Sequence, residues 1–258
     1  MLAEMIAVEH LSKVFEDPGG EPIVAVADAT FVCEAGKIYG RLGPNGAGKT
    51  TTLRCLSTIL APTSGRATIS GHDVAKDPEA VRRAIGFMSA STGLYQRLTP
   101  RETLRFFGGL AGMTGETLEA RVTATLTLFQ IDDYADRPND RLSTGMKQRV
   151  SLARAIVHDP PVVILDEPTS GLDPIVTESV EAAVKTLAAR GKCVLLSTHS
   201  LSQAEGICDR IGIIGGGRVL ADGTVASLCE EAGARTLKEA FFTFVRRVTP
   251  PEEASAGA

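Results

Sequence analysis

The sequence predicts an α/β fold, with a parallel sheet, an antiparallel β part near the N-terminus and a helical subdomain inserted in the middle. Three observations predict it. Strand-length apolar runs alternate with helical patterns on both sides of the middle third. A glycine-rich segment, residues 43–50, lies between a short strand and a helix. Residues 100–157 hold no convincing strand. The 258 residues are 43% hydrophobic and 22% charged, ordinary for a globular chain near the upper size of one compact core. That composition excludes a disordered tail protein, a collagen-like repeat and a small disulfide scaffold.

In chain order, residues 6–15 and 23–34 read as strands separated by a turn-rich EDPGGEP. KIYGRL is a short strand, and the helix after the glycine-rich loop is expected to end at Pro62 and Gly65. GRATISGHDV reads as an edge strand plus turn, PEAVRRA as a short helix and residues 85–88 as a strand. Thr99, Pro100 and Glu102 supply an N-cap, a first-turn proline and a capping-box glutamate. Leu118, Val122, Leu126 and Phe129 recur at helical spacing, and a further helix is predicted over 143–157. Alternation then resumes. PVVILDE is a strand, 174–188 a helix, CVLLST a strand, 200–208 a helix and RIGII a strand, followed by a hairpin through 215–217. Residues 226–248 read as helical and PPEEASAGA as a frayed tail.

Several function classes fall away. The net charge of −4 gives no global positive field, so no nucleic-acid partner is expected and any phosphate binding must be local. The apolar runs at 162–165 and 193–196 are strand-sized, far short of the about 20 residues a spanning helix needs. Glu4 and Glu9 stand where a secretory signal would carry basic charge, so no signal is expected. Cys33, Cys55, Cys193, Cys208 and Cys229 lack metal-ligand spacing and read as reduced core residues.

Gly43-Pro44-Asn45-Gly46-Ala47-Gly48-Lys49-Thr50 matches GxxxxGK[ST] in its required strand–loop–helix context. The glycines let the backbone N–H groups turn toward phosphate oxygens, and the next helix adds its N-terminal dipole. Gly43 through Thr51 are therefore expected to bind a nucleotide. Lys49 is placed to neutralise β- and γ-oxygens, and the Thr50 hydroxyl to ligate Mg²⁺. VVILD is apolar on both faces and delivers Asp166 to the C-terminal end of a parallel strand, where open α/β sheets bind ligands. Asp166 is expected to hold Mg²⁺ through water, and Glu167 to act as general base. The GxxxxGK[ST] segment resembles that of P-loop NTPases, and the resemblance implies a RecA-like parallel sheet.

Three further segments carry a resemblance. Leu142-Ser143-Thr144-Gly145-Met146-Lys147-Gln148-Arg149 resembles the LSGGQ signature of ABC-transporter ATPases. Ser170-Gly171-Leu172-Asp173 looks like their D-loop and Thr198-His199 like their switch histidine. Five motifs match in order across residues 5–225, so the chain is identified as a member of that family. The resemblance implies an ABC ATPase domain over 1–225, with its helical subdomain about 91–157, and a C-terminal extension over 226–258. It implies ATP and Mg²⁺, hydrolysis, an integral-membrane permease partner, and a location on the cytoplasmic side of the membrane through that partner. It also implies a second ATPase subunit, a copy of this chain, whose nucleotide is clamped by Ser143, Thr144 and Gly145. Asp173 is expected to bridge that dimer and His199 to orient water or stabilise charge. Phe15 matches the position of an aromatic ring that stacks on adenine.

The departures are informative. Thr144 and Met146 replace a glycine and a glutamine of the signature. Ala90 stands where the family has a metal-contacting glutamine, with Gln96 six residues later and Ser89, Ser91 and Thr92 as other polar candidates. FMSASTGLYxRLT, LSTGMKQR and the ending Leu237-Lys238-Glu239-Ala240-Phe241 resemble the sodium-efflux branch of type-2 ABC exporters. The alternatives are export of a drug, antibiotic or polysaccharide, and a soluble ABC-type ATPase.

Overall fold

The computed structural model describes residues 3–89 and 93–248. Ala90, Ser91, Thr92 and the tail from residue 249 onward, which carries PPEEASAGA, lie outside the described residues. The chain runs β1 (Glu4–Phe15), β2 (Ile23–Glu34), β3 (Ile38–Leu42), α1 (Lys49–Leu56), β4 (Ser64–Ile69), β5 (His72–Asp73), α2 (Pro78–Ala84) and β6 (Ile85–Met88). Helices α3 (Pro100–Leu110), α4 (Gly115–Leu128) and α5 (Thr144–Ile156) follow, with two short 3₁₀ turns before α5. The rest is β7 (Val162–Asp166), α6 (Pro174–Ala189), β8 (Cys193–Thr198), α7 (Leu201–Ile207), β9 (Arg210–Gly215), β10 (Arg218–Gly223), α8 (Val225–Ala232) and α9 (Leu237–Arg246).

Two sheets result. The first has the order β2-β1-β4-β5 and is antiparallel; the second has the order β10-β9-β3-β8-β7-β6. Strands β9, β3, β8, β7 and β6 are parallel, and β10 closes the edge as the antiparallel arm of a hairpin with β9. In β7 and β8, side chains alternate between two cores, as a period of two requires. Val162, Ile164, Cys193 and Leu195 pack with α1 and the antiparallel sheet. Val163, Leu165, Val194 and Leu196 pack with α5 and α6. Strands covered on both faces read as unbroken apolar runs, and that is why VVIL and CVLL carry no polar alternation.

The helical insertion forms as expected, and no strand lies among its described residues. Thr99 Oγ1 accepts the Glu102 N–H at 3.2 Å while Glu102 Oε2 accepts the Thr99 N–H at 2.9 Å, a reciprocal cap on α3. Val122, Leu126 and Phe129 are buried along α4, with Leu118 packed beside them.

Four expectations are corrected. Helix α1 ends at Leu56, not near Pro62, because Thr58 turns left-handed (φ 61°) and the Arg54 carbonyl takes the N–H groups of Ile59 and Leu60. β4 is interior, between β1 and β5, so the two-residue β5 is the edge. The C-terminal helical stretch breaks into α8 and α9, since Gly233 (φ 63°) caps α8 in the left-handed region. Both helices share a core with Leu42, Ile211 and Ile213 through Leu228, Leu237, Ala240 and Phe244. All five cysteines are free, but only Cys33, Cys55 and Cys193 are buried; Cys208 and Cys229 are half-buried.

Candidate functional site

The glycine-rich loop leaves the C-terminal end of β3 and enters α1. Gly46 and Gly48 have φ of 78° and 91°, a region side chains rarely adopt. Gly48 is also crowded, since a Cβ there would sit 2.2 Å from the Ala25 carbonyl oxygen of β2. Gly48→Ala is therefore expected to cost at least about 1–2 kcal/mol, read as a lowered denaturant midpoint. An unchanged midpoint would refute the close packing of β2 on the loop.

Residues 45–51 with Ala25 and Glu167 line a cleft of about 160 Å³. This brings Asn45, Gly46, Ala47, Gly48, Lys49, Thr50 and Thr51 together. Gly43 and Pro44 are not in its lining; their carbonyls accept hydrogen bonds from Lys49 Nζ at 2.7 and 3.0 Å. Lys49 is nearly buried and lies 3.5 Å from Glu167 Oε1. Burial pushes its pKa below the ordinary lysine value, opposed by the charge of Glu167.

The register of β7 and β8 places Asp166 opposite Ser197. Asp166 Oδ1 accepts from Thr50 Oγ1 at 3.1 Å and from Ser197 Oγ at 2.6 Å. Glu167 sits in the left-handed region (φ 52°), and its N–H donates to Ser197 Oγ at 3.0 Å. Strain of this kind in a non-glycine residue is characteristic of functional sites. His199 Nδ1 lies 2.5 Å from Glu167 Oε2. Thus Lys49, Thr50, Asp166, Glu167 and His199, far apart in sequence, converge at the C-terminal edge of the sheet.

The donor set suits a hard divalent cation. A hydroxyl and a carboxylate 3.1 Å apart offer oxygen ligands of the kind Mg²⁺ takes together with substrate phosphates and water. Among the described residues no group of three or more His, Cys, Asp or Glu is placed to hold a metal ion.

The signature residues lie elsewhere. Ser143 Oγ caps α5 by accepting the Met146 N–H at 3.3 Å, and a Cβ on Gly145 would meet Val176 of α6 at 2.9 Å. Ser143, Thr144 and Gly145 do not line the cleft of the glycine-rich loop. Asp173 Oδ1 accepts the N–H groups of Ile175 and Val176, each at 3.0 Å, so within this chain it caps α6. Phe15 is half-exposed, not a core residue. Its partner across the hairpin is Ile23, and the register of β1 on β2 shifts between Lys13 and Val14, at Ala25, so Phe15 lies near the β2 segment that reaches the glycine-rich loop. Gln96 is exposed, its carbonyl accepts the Asp140 N–H at 3.0 Å, and it does not line the cleft.

Three residues were missed by sequence reasoning. Ser197 links Asp166 to the Glu167 backbone, and a serine inside the apolar run CVLLST was its one signal. Gln148 Nε2 donates to the Pro168 carbonyl at 2.6 Å, tying the signature helix to the loop after Glu167. Gln203 Nε2 donates to Thr169 Oγ1 at 2.8 Å.

The family model described as ABC transporter matches residues 26–170. The chain is 35% identical over 240 residues to the ABC transporter ATP-binding protein NatA of Bacillus subtilis (strain 168), covering 93% of this chain and 97% of that one. It is 41% identical over 198 residues to the daunorubicin resistance ATP-binding protein DrrA3 of Streptomyces coeruleorubidus, covering 77% of this chain and 63% of that one. The dimeric post-hydrolysis structure of the ATP-binding cassette MJ0796, bound to ADP and Pi, superposes with a TM-score of 0.78 at 27% identity. That match covers 85% of this chain and 98% of the other. With a glycine-rich loop, a strand-end acid pair and a capped signature helix all in the family order, the chain belongs to the ATP-binding subunits of ABC transporters.

Proposed function

We propose that this chain binds and hydrolyses ATP as the motor subunit of an exporter, and that its cargo is the sodium ion. The observation that carries the catalytic part is that Lys49, Thr50 and Glu167 line one cleft at the sheet edge, with Asp166 bonded to Thr50 and His199 to Glu167 beside it. Asn45 to Thr51 cradle the triphosphate, with Lys49, held by the Gly43 and Pro44 carbonyls, as its cation. Thr50 and Asp166 are the residues that would hold Mg²⁺, which neutralises phosphate charge when bound. Glu167 takes a proton from the attacking water as general base. His199, in contact with Glu167 Oε2, orients that carboxylate. Phe15 offers its ring to the adenine.

Ser143, Thr144 and Gly145 face a second copy's nucleotide, because the N–H groups at the start of α5 form an anion site without a phosphate cradle beside it in this chain. The dimeric MJ0796 cassette supports that arrangement. Asp173 then contributes at the dimer contact as well as capping α6. The ATPase domain spans 1–225, with residues 91–157 as its helical subdomain and 226–258 as an extension, whose helices α8 and α9 contact β9 and β10. No helix among the described residues is long and apolar enough to cross a membrane. Membership of the ABC transporter family supports the reading that the chain works through an integral-membrane permease, on the cytoplasmic side.

Similarity to NatA over almost the whole of both chains supports sodium as cargo, and the DrrA3 likeness favours drug export as the second reading. Cells lacking this chain and its permease are expected to grow worse in Na⁺ than in K⁺ at equal osmolarity. Equal growth in both salts, with new sensitivity to an antibiotic, would favour the drug reading.

A further inference from the structure

Arg41 lies in β3, two residues before the glycine-rich loop, and its side chain is completely buried between the two sheets. Its Nη2 donates to Thr52 Oγ1 at 3.1 Å, while Nε and Nη1 are buried with no hydrogen-bond partner. The guanidinium carbon sits 4.8 Å from the centre of the Phe31 ring. No ion pair to Arg41 forms among the described residues. Asp222, whose negative charge reaches it, is already engaged by the Tyr39 hydroxyl and by Arg210 Nε.

A guanidinium stays protonated in proteins, so β3 carries an unpaired positive charge in the core. Such a charge is costly, and an apolar residue of the same volume would pack there at no such cost. The neighbours indicate what the charge serves. Thr52 Oγ1, which accepts from Arg41, in turn donates to the Gly48 carbonyl at 2.9 Å. Gly48 leads directly into Lys49, so the guanidinium stands behind the floor of the phosphate cradle. Arg41 and Thr52 are both completely buried, so the two hydrogen bonds that run from the guanidinium to the residue before Lys49 lie where charge is screened less than in water, and an anion on the cradle feels Arg41 as well as Lys49.

We propose that Arg41 is a positioning residue that acts as a buried second cation behind the phosphate cradle, strengthening nucleotide binding in proportion to phosphate charge. The inference rests on the nucleotide-binding reading above. It assigns a role to a residue outside every motif that carried that reading.

The test is calorimetric titration of the full chain with ATP, ADP and AMP in EDTA at low salt, for the wild type, Arg41→Met and Arg41→Gln. Gln keeps a donor for Thr52 without the charge, so it separates the hydrogen bond from the field. Both variants are expected to raise Kd about tenfold for ATP, about fivefold for ADP and about twofold for AMP. The thermal midpoint of Arg41→Met is expected to equal or exceed that of the wild type, since an unpaired buried charge has gone. An equal shift for all three nucleotides, no shift, or loss of the native fold in both variants overturns the assignment, for each is the signature of packing alone. Failure of the wild type to bind any of the three nucleotides would instead overturn the nucleotide reading itself.

Discussion

Lys49→Ala is expected to abolish ATP hydrolysis, lowering turnover by at least about 10²–10³-fold. Lys49 is the one side-chain cation lining the cleft among the described residues. Its Nζ is held by the Gly43 and Pro44 carbonyls and faces Glu167. An alanine removes both the charge and the tether that draws the start of the loop onto α1. Near-wild-type phosphate release by the variant would refute the assignment of the cradle. The lowered pKa of Lys49 adds a pH signature. Its charge is present below the folded pKa and is lost as pH rises through it, so ATP affinity of the wild type is expected to fall on an alkaline limb lying below the ordinary value of 10.5. Stability moves the other way in that window. The unfolded lysine still holds its proton there while the folded one has released it, so stability rises with pH. Titrations of ATP binding and of unfolding across alkaline pH check the two opposite slopes, which Lys49→Ala is expected to remove together.

Glu167→Gln is expected to leave ATP binding in place while slowing hydrolysis by about 10²–10⁴-fold, the usual contribution of a general base. The amide is nearly isosteric and keeps an acceptor for His199 Nδ1, which lies 2.5 Å from Glu167 Oε2. Only the proton-accepting carboxylate is lost. Because ATP is then bound but not consumed, the variant is expected to accumulate as a dimer with two nucleotides sandwiched between subunits, each cradle facing the partner's Ser143 cap. Size-exclusion chromatography with and without saturating MgATP reads this directly. A variant that remains monomeric with ATP bound would show that residues 143–145 do not clamp a second chain's nucleotide, and a variant that turns over normally would remove Glu167 from the reaction.

The parts of this site that sequence made legible are those whose physics is local. Gly46 and Gly48 are written into the chain because the loop needs positive φ at both positions. Thr99, Ser143 and Asp173 cap helices through N–H groups within three residues of themselves. The unbroken apolar runs of β7 and β8 announced strands covered on both faces, and the acid at the end of β7 announced a ligand edge. The break between α8 and α9 was within reach on the same terms, since Gly233 is a left-handed cap that the helical pattern of its flanks obscured.

What the sequence by itself determined, then, is which segments form strands and helices, and which residues could serve phosphate and metal chemistry. Tertiary structure decided how they meet. Ser197 bridges Asp166 and Glu167 only because β7 and β8 pair in the register that sets Asp166 opposite Ser197, and no local pattern encodes the register of two strands 31 positions apart. Gln148 and Gln203 reach the loop after Glu167 by folding alone. Arg41 is the sharpest case. Arginine is a surface residue by default, and within KIYGRL nothing marks it otherwise. Only the closing of the antiparallel sheet over β3 buries its charge behind Gly48, where exclusion of water lets it act on the cradle.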